Sequence, residues 1–210
     1  MKKFVDTFHY LTQDLPNTSH LQQVDIACSQ GAKWIQYRCF SKTEEEMLSE
    51  LHQIVHICDD WGTTLIVTDH YQLLPKADIQ GVHIEDMDAD ISLIRQIIGD
   101  DKTLGASATH LTQLATHIKN GADYIGYGPY AHTDTKPNTE MHWGIEGYLQ
   151  AVKELEEMNL TIPLIAVGGI NLEDVEELMR TGIHGIAVAA AVNKSAWPSS
   201  AFKQFYRLLH

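Results

Sequence analysis

Leu164-Ile165-Ala166-Val167-Gly168-Gly169 is apolar at every position of a strand-length run and then stops on two glycines. Side chains alternate faces along a strand, so a run with no polar position is apolar on both faces. That is the pattern of a parallel strand covered by helices, not of a strand with one face in water. Leu65-Ile66-Val67, leading into Thr68-Asp69, repeats it.

Outward from these two, short apolar runs recur at 8–12, 34–38, 64–69, 81–84, 103–107, 124–128, 163–168 and 185–189, with helix-like segments between them. Over 43–60, apolar Met47, Leu48, Leu51, Ile54, Val55 and Cys58 return at helical spacing, and Glu44, Glu45 and Glu46 put negative charge on the first turn, where the helix dipole favours it. Asn171 is read as a cap before Leu172-Glu173-Asp174, and Ser199 after Pro198 as the start of a last helix with Phe202, Phe205 and Leu209 inward. Eight strand-helix units across 1–210 predict one α/β domain, a (β/α)8 TIM barrel, with a doubly wound open sheet as the competing arrangement. Both put ligands at the carboxyl ends of the strands.

The 210 residues are 44% apolar and 20% charged, enough for one hydrophobic core of ordinary size. The 28 acidic against 15 basic side chains leave a formal charge of −13, which disfavours nucleic acid and anionic lipid as partners, so an anionic ligand must be held by a local group of donors. The apolar fraction excludes disorder, and the longest uncharged apolar stretch, around 185–192, falls far short of the ~20 residues of a membrane span. Met1-Lys2-Lys3-Phe4 imitates the start of a signal peptide, but Asp6 and His9 interrupt it, and export is not expected. Cys28, Cys39 and Cys58 contain no C-x-x-C pair; their spacing indicates neither a disulfide framework nor a thiolate zinc site, and a reducing cytoplasm is the expected compartment.

The residues that finish the strands form a coherent chemical set. They are Gln36-Tyr37-Arg38, Thr68-Asp69, Glu85-Asp86-Met87-Asp88, Ser107, Gly128-Pro129 running on to Thr133-Asp134-Thr135-Lys136, and Gly168-Gly169. Asp69 and Asp88, from two strand ends, suit one hard cation such as Mg²⁺, with Arg38 and Lys136 neutralising what the metal leaves unpaired. The plainer alternative makes Asp69 the cap of the following helix and 85–88 a solvated acidic turn. Gly168 and Gly169 offer backbone amides for a phosphate, with a second source at Ala189 and Ala190, though a glycine pair is also a plain turn. Two hydroxyls and an ammonium within Thr133-Asp134-Thr135-Lys136 suit oxyanion contacts, against the alternative of a solvated loop. His52 and His56 stand one helical turn apart without an H-E-x-x-H arrangement and read as surface histidines; Cys39 reads as a structural thiol more than as a nucleophile.

In this order, from Tyr10 to Val192, the pieces resemble thiamine phosphate synthase. The stretches that carry the resemblance are Ile35-Gln36-Tyr37-Arg38, Leu65-Ile66-Val67-Thr68-Asp69, Gly81-Val82-His83-Ile84 with Asp88, Gly105-Ala106-Ser107, the run from Ala122 to Tyr130 with Thr133-Asp134-Thr135-Lys136, Ala166-Val167-Gly168-Gly169-Ile170, and Gly185-Ile186-Ala187-Val188. The resemblance implies a (β/α)8 barrel that uses Mg²⁺ to join hydroxymethylpyrimidine diphosphate to thiazole phosphate with release of pyrophosphate. It implies Asp69 and Asp88 as metal ligands, and Gln36, Arg38, Thr68, Ser107 and Lys136 around the pyrimidine diphosphate. Thr133, Thr135, Gly168, Gly169, Ala189 and Ala190 would then hold the thiazole phosphate. Arg38, Lys136 and Ser107 are the expected catalytic groups, acting on a departing pyrophosphate rather than as nucleophiles.

Three positions depart from the family pattern. Phe40 stands where a lysine is usual, unless Lys42 reaches in; Thr68 replaces an asparagine; and Glu85-Asp86 replaces Gly-Gln, adding negative charge. A related thiazole tautomerase, which places a histidine where this chain has Pro129, and an idle paralogue that only binds thiamine precursors are the alternative functions. The loop over 131–143 is the expected lid, and a homo-oligomer stays open as a partner state.

Overall fold

The computed structural model describes residues 3–133 and 141–210. The apolar runs become eight parallel strands: β1 (Phe8–Leu11), β2 (Trp34–Tyr37), β3 (Thr64–Thr68), β4 (Gly81–Ile84), β5 (Thr103–Ala108), β6 (Tyr124–Tyr127), β7 (Leu164–Val167) and β8 (Gly185–Val188). They pair in sequence order, and the sheet closes where Phe8 of β1 meets Ile186 of β8. That pairing settles the competition with an open sheet in favour of the (β/α)8 barrel.

The helices are α1 (His20–Ser29), α2 (Glu44–Trp61), α3 (Ile91–Ile98), α4 (Leu111–Lys119), α5 (Gly144–Glu157), α6 (Val175–Arg180), the single turn α7 (Ala190–Asn193) and α8 (Pro198–Leu209). α2 starts as its sequence predicts: the Glu46 amide donates to the Thr43 hydroxyl at 3.3 Å, and the Thr43 amide donates to the Glu46 carboxylate at 2.8 Å. Between β3 and β4 the chain makes only a 3-10 turn, Tyr71–Lys76, because Pro75 removes a backbone donor and cannot sit inside an α-helix. Asn171 opens a second 3-10 turn, Leu172–Asp174, its amide donating to the Asp174 carboxylate at 2.7 Å, and α6 follows directly. Among the described residues no helix is long and apolar enough to cross a membrane.

Strand alternation splits the core. Ile35, Leu65, Val67, Val82, Leu104, Ile125 and Ile186 pack outward under the helices, while Leu11, Trp34, Ile66, Tyr124, Ile165 and Ala187 form a separate cluster inside the barrel. The interior layer is aromatic. His9 stacks on Trp34 with ring centroids 4.4 Å apart, and Tyr124 meets Trp34 edge-on at 5.5 Å. Neighbouring strands make room for these rings with glycine: a Cβ on Gly105 would lie 2.1 Å from the Tyr124 ring and 2.5 Å from the His83 imidazole. This aromatic plug fills the lower barrel and leaves the upper end hollow.

Candidate functional site

At the carboxyl ends of the strands lies a cavity of ≈ 450 Å³, within the range of small-molecule sites. Gln36, Arg38, Ser107, Thr133, Gly168, Gly169, Ala189 and Ala190 all line it, so most of the residues singled out in the sequence meet at one place.

One wall comes from β2, β4 and β5. The Gln36 carboxamide donates to the Thr68 hydroxyl at 2.8 Å, and Thr68 itself is buried behind it, supporting Gln36 instead of facing the cavity. Arg38 makes a two-pronged contact with Glu85, Nε to Oε1 at 2.7 Å and Nη2 to Oε2 at 3.0 Å, and its guanidinium lies 4.6 Å over the Phe40 ring. The added charge of Glu85 is thus committed to Arg38. Lys42 does not replace the missing lysine: its ammonium sits on Glu50 at 2.6 Å, beside the Tyr37 hydroxyl on the same oxygen. Ser107 Oγ lies 3.0 Å from His83 Nε2, and His83 Nδ1 lies 3.0 Å from the Tyr124 hydroxyl, a chain running from the cavity into the barrel. Burial, and then the neighbouring His83, hold the His9 imidazole at the cavity floor well below the ordinary histidine range.

The opposite wall is backbone. Gly168 and Gly169 have φ of +95° and +70°, and a Cβ at Gly169 would lie 2.5 Å from the His132 carbonyl oxygen, so this turn admits glycine alone. The Ala131 amide donates to the Gly168 carbonyl at 3.0 Å, tying the strand-six loop to the strand-seven loop. α7 begins beside them at Ala190, and Lys194, one turn further on, also lines the cavity. Sequence reasoning passed over Lys194, although its i+4 spacing from Ala190 places both on one face. It also passed over His132 and His83, which line the same space.

Asp69 and Asp88 stand beside this cavity, and neither lines it. Asp69 has φ of +59°, and its Oδ1 accepts from the Glu85 amide at 2.6 Å and the Asp86 amide at 3.2 Å. It therefore secures the turn after β4, across the barrel rim, and does not cap the segment that follows β3. Asp88 is exposed on that same turn, its amide donating to the Asp86 carboxylate at 3.0 Å. Thr135 and Lys136 lie outside the described residues, as does most of the expected lid.

The family profile described as thiamine monophosphate synthase matches residues 10–192. A thiamine-phosphate synthase from Phocaeicola vulgatus is 32% identical over 199 residues, spanning 95% of this chain and 96% of its own length. Another thiamine-phosphate synthase, from Chloroflexus aurantiacus, is 34% identical over 191 residues, 91% of this chain and 86% of that one. Among solved structures, a thiamine phosphate pyrophosphorylase from Pyrococcus furiosus superposes with a TM-score of 0.85 at 26% identity, covering 97% of this chain and 95% of its own.

Proposed function

Because the chain belongs to the thiamine monophosphate synthase family, a family of transferases, we propose that its barrel mouth joins hydroxymethylpyrimidine diphosphate to thiazole phosphate, yielding thiamine phosphate and pyrophosphate. What supports this reading is one cavity lined by two sets of groups whose chemistry suits anions. Arg38, Gln36 and Ser107 stand on one side, and the Gly168-Gly169 backbone with α7 and Lys194 stands on the other.

Departure of pyrophosphate from a methylene on an aminopyrimidine leaves a cation that the ring stabilises, so no protein nucleophile is needed and the protein acts on the leaving charge. Arg38 meets the diphosphate by exchanging the Glu85 carboxylate for phosphate oxygens, which match its planar fork equally well. Ser107, oriented by His83, donates to the same group, and Lys136 adds a second cation. On the facing wall, backbone amides at Gly169, Ala189 and Ala190, with Thr133 and Lys194, hold the thiazole phosphate, and Thr135 adds a hydroxyl to it. That anchor aims the thiazole nitrogen at the carbocation, and positioning replaces chemistry.

Asp69, after β3, and Asp88, after β4, offer hard carboxylate oxygens, the donor type that Mg²⁺ takes. Asp69 and Asp88 would hold Mg²⁺, which supplies charge neutralisation for the departing pyrophosphate.

The test is direct. Purified protein is given both phosphorylated precursors and Mg²⁺, and thiamine phosphate and pyrophosphate are followed together. Product formation that stops with EDTA, and that falls about 10²–10³-fold in Arg38→Ala, Lys136→Ala or Asp88→Ala, is the expected result. Isomerisation of the thiazole without the pyrimidine, or binding of both precursors without turnover, overturns the proposal.

A further inference from the structure

Away from the substrate cavity, three side chains from two separate segments of the chain converge. Asp14 lies between β1 and α1, His20 is the first residue of α1, and Cys39 follows β2. Asp14 Oδ1 is 3.1 Å from His20 Nε2 and 3.4 Å from Cys39 Sγ, and the three ligand atoms lie within 4.8 Å of one another. Among the described residues this is the group of three or more such side chains close enough to share an ion. None of the three lines the cavity.

We propose that Asp14, His20 and Cys39 form a binding site for a borderline-soft divalent cation of the zinc type. Bond lengths of about 2.0–2.2 Å to nitrogen and oxygen and 2.3 Å to sulfur give tetrahedral edges of about 3.3 Å for N to O and about 3.6 Å for O to S. The two Asp14 edges are already within about 0.2 Å of those values, and the three ligand atoms lie within 4.8 Å of one another, so a cation takes the place of the bridging protons as the His20 to Cys39 edge closes on it. The imidazole is held in a ligating orientation from behind: His20 Nδ1 lies 2.7 Å from the Thr12 hydroxyl, the outer-shell contact that metal-binding histidines use. Entry is open on one side, where Asp14 and Ser41 are exposed, while His20 and Cys39 are buried. The Ser41 hydroxyl donates to the same Asp14 oxygen at 2.6 Å on this exposed side. Thiolate and imidazole select zinc over magnesium, which separates this site from the all-oxygen rim around Asp69. Cysteine spacing in the chain does not disclose it, because its other two ligands come from the β1–α1 segment.

The site is wired to the mouth of the barrel. The Arg38 amide donates to the same Thr12 hydroxyl at 3.0 Å, and the Phe40 amide donates to Asp14 at 2.9 Å. An occupied site therefore clamps the segment that carries Arg38 and Phe40 to the β1 loop.

The experiment uses the full untagged chain, stripped with chelator, then titrated with Co²⁺ and separately with Zn²⁺. Expected are one equivalent of Co²⁺ with an intense near-ultraviolet sulfur-to-cobalt band, displacement by one equivalent of Zn²⁺, and a melting temperature raised by Zn²⁺. Cys39→Ser loses the band entirely, Cys28→Ser keeps it, and Thr12→Val weakens binding about 10–100-fold. Asp14→Asn, on the exposed side, weakens binding even if Cys39→Ser fails to fold, and melting in chelator shows which variants are folded. Absence of the band, its persistence in folded Cys39→Ser, or Co²⁺ affinity unchanged in Asp14→Asn overturns the proposal. Binding by other histidines gives no sulfur band and counts against it.

Discussion

Replacing Gly169 by alanine perturbs the proposed phosphate wall through two separable effects, one of conformation and one of contact. The residue sits at φ +70°, where a Cβ costs about 1 kcal/mol, and that Cβ would stand 2.5 Å from the His132 carbonyl oxygen and 2.8 Å from the Ala131 backbone. Backbone cannot swing aside as a side chain can, so overpacking adds about 2 kcal/mol. The sum, about 3 kcal/mol, lowers the melting temperature by roughly 6–12 °C in a chain of this length. Gly62 is the control: it has φ +61°, and a Cβ there would meet nothing within 4 Å, so Gly62→Ala carries the conformational cost alone. That is about 1 kcal/mol, or roughly 2–4 °C. Thermal melts of the two variants are run beside steady-state kinetics with varied thiazole phosphate. Gly169→Ala is expected to raise KM for that substrate at least about tenfold, since the shifted 131–132 backbone and the 169 turn are its proposed wall. Gly62→Ala leaves KM where it was. Equal losses of stability in the two variants, with KM unmoved in both, would refute the reasoning.

Other consequences are as direct. Glu85→Gln keeps the side-chain shape but removes the charge with which a diphosphate competes for Arg38; KM for the diphosphate substrate should fall about tenfold, about 1.4 kcal/mol, while the substrate-free protein loses stability. An unchanged or higher KM contradicts the exchange. Ser107→Ala removes the donor oriented by His83 and should lower kcat/KM about ten- to a hundredfold, the worth of a hydrogen bond to a charged group; full activity excludes it from the site. Stability should depend on pH through His9, whose folded pKa is depressed by burial and by His83. Below about pH 6.5 the unfolded chain takes up a proton that the folded chain does not, so stability is whole above that pH and falls by about 1.4 kcal/mol per unit as pH drops toward the folded value. His117, lowered mainly by burial, adds in the same sense. Melting curves from pH 7 to pH 5 should show this decline, and His9→Gln should flatten it; an identical slope in the variant would exclude His9 as the cause.

The barrel was legible in the chain because its signals are local. Apolarity on both faces of Leu65-Ile66-Val67 and Leu164-Ile165-Ala166-Val167 is written in consecutive residues, and so is the Thr43-to-Glu46 start of α2. Given a barrel, strand ends must meet, which is why Gln36, Arg38, Ser107, Gly169 and Ala190 were found together. Phe40 and Glu85 were visible as departures, but their consequence was not, since which carboxylate an arginine meets depends on how strands two and four lie across the rim.

Four features were decided only by tertiary structure. Arg38 pairs with Glu85, and the Asp69 carboxylate secures the turn after β4 instead of capping its own segment. Rings from β1, β2 and β6 fill the lower barrel against Gly105 on β5, and Asp14, His20 and Cys39 gather at one point. In each at least one partner comes from a different strand or loop, and no periodicity or spacing rule links it to the rest. Period and capping act over a few residues, whereas ion pairs, ring packing and ligand sets are chosen by whichever side chains closure of the sheet brings within about 3–5 Å.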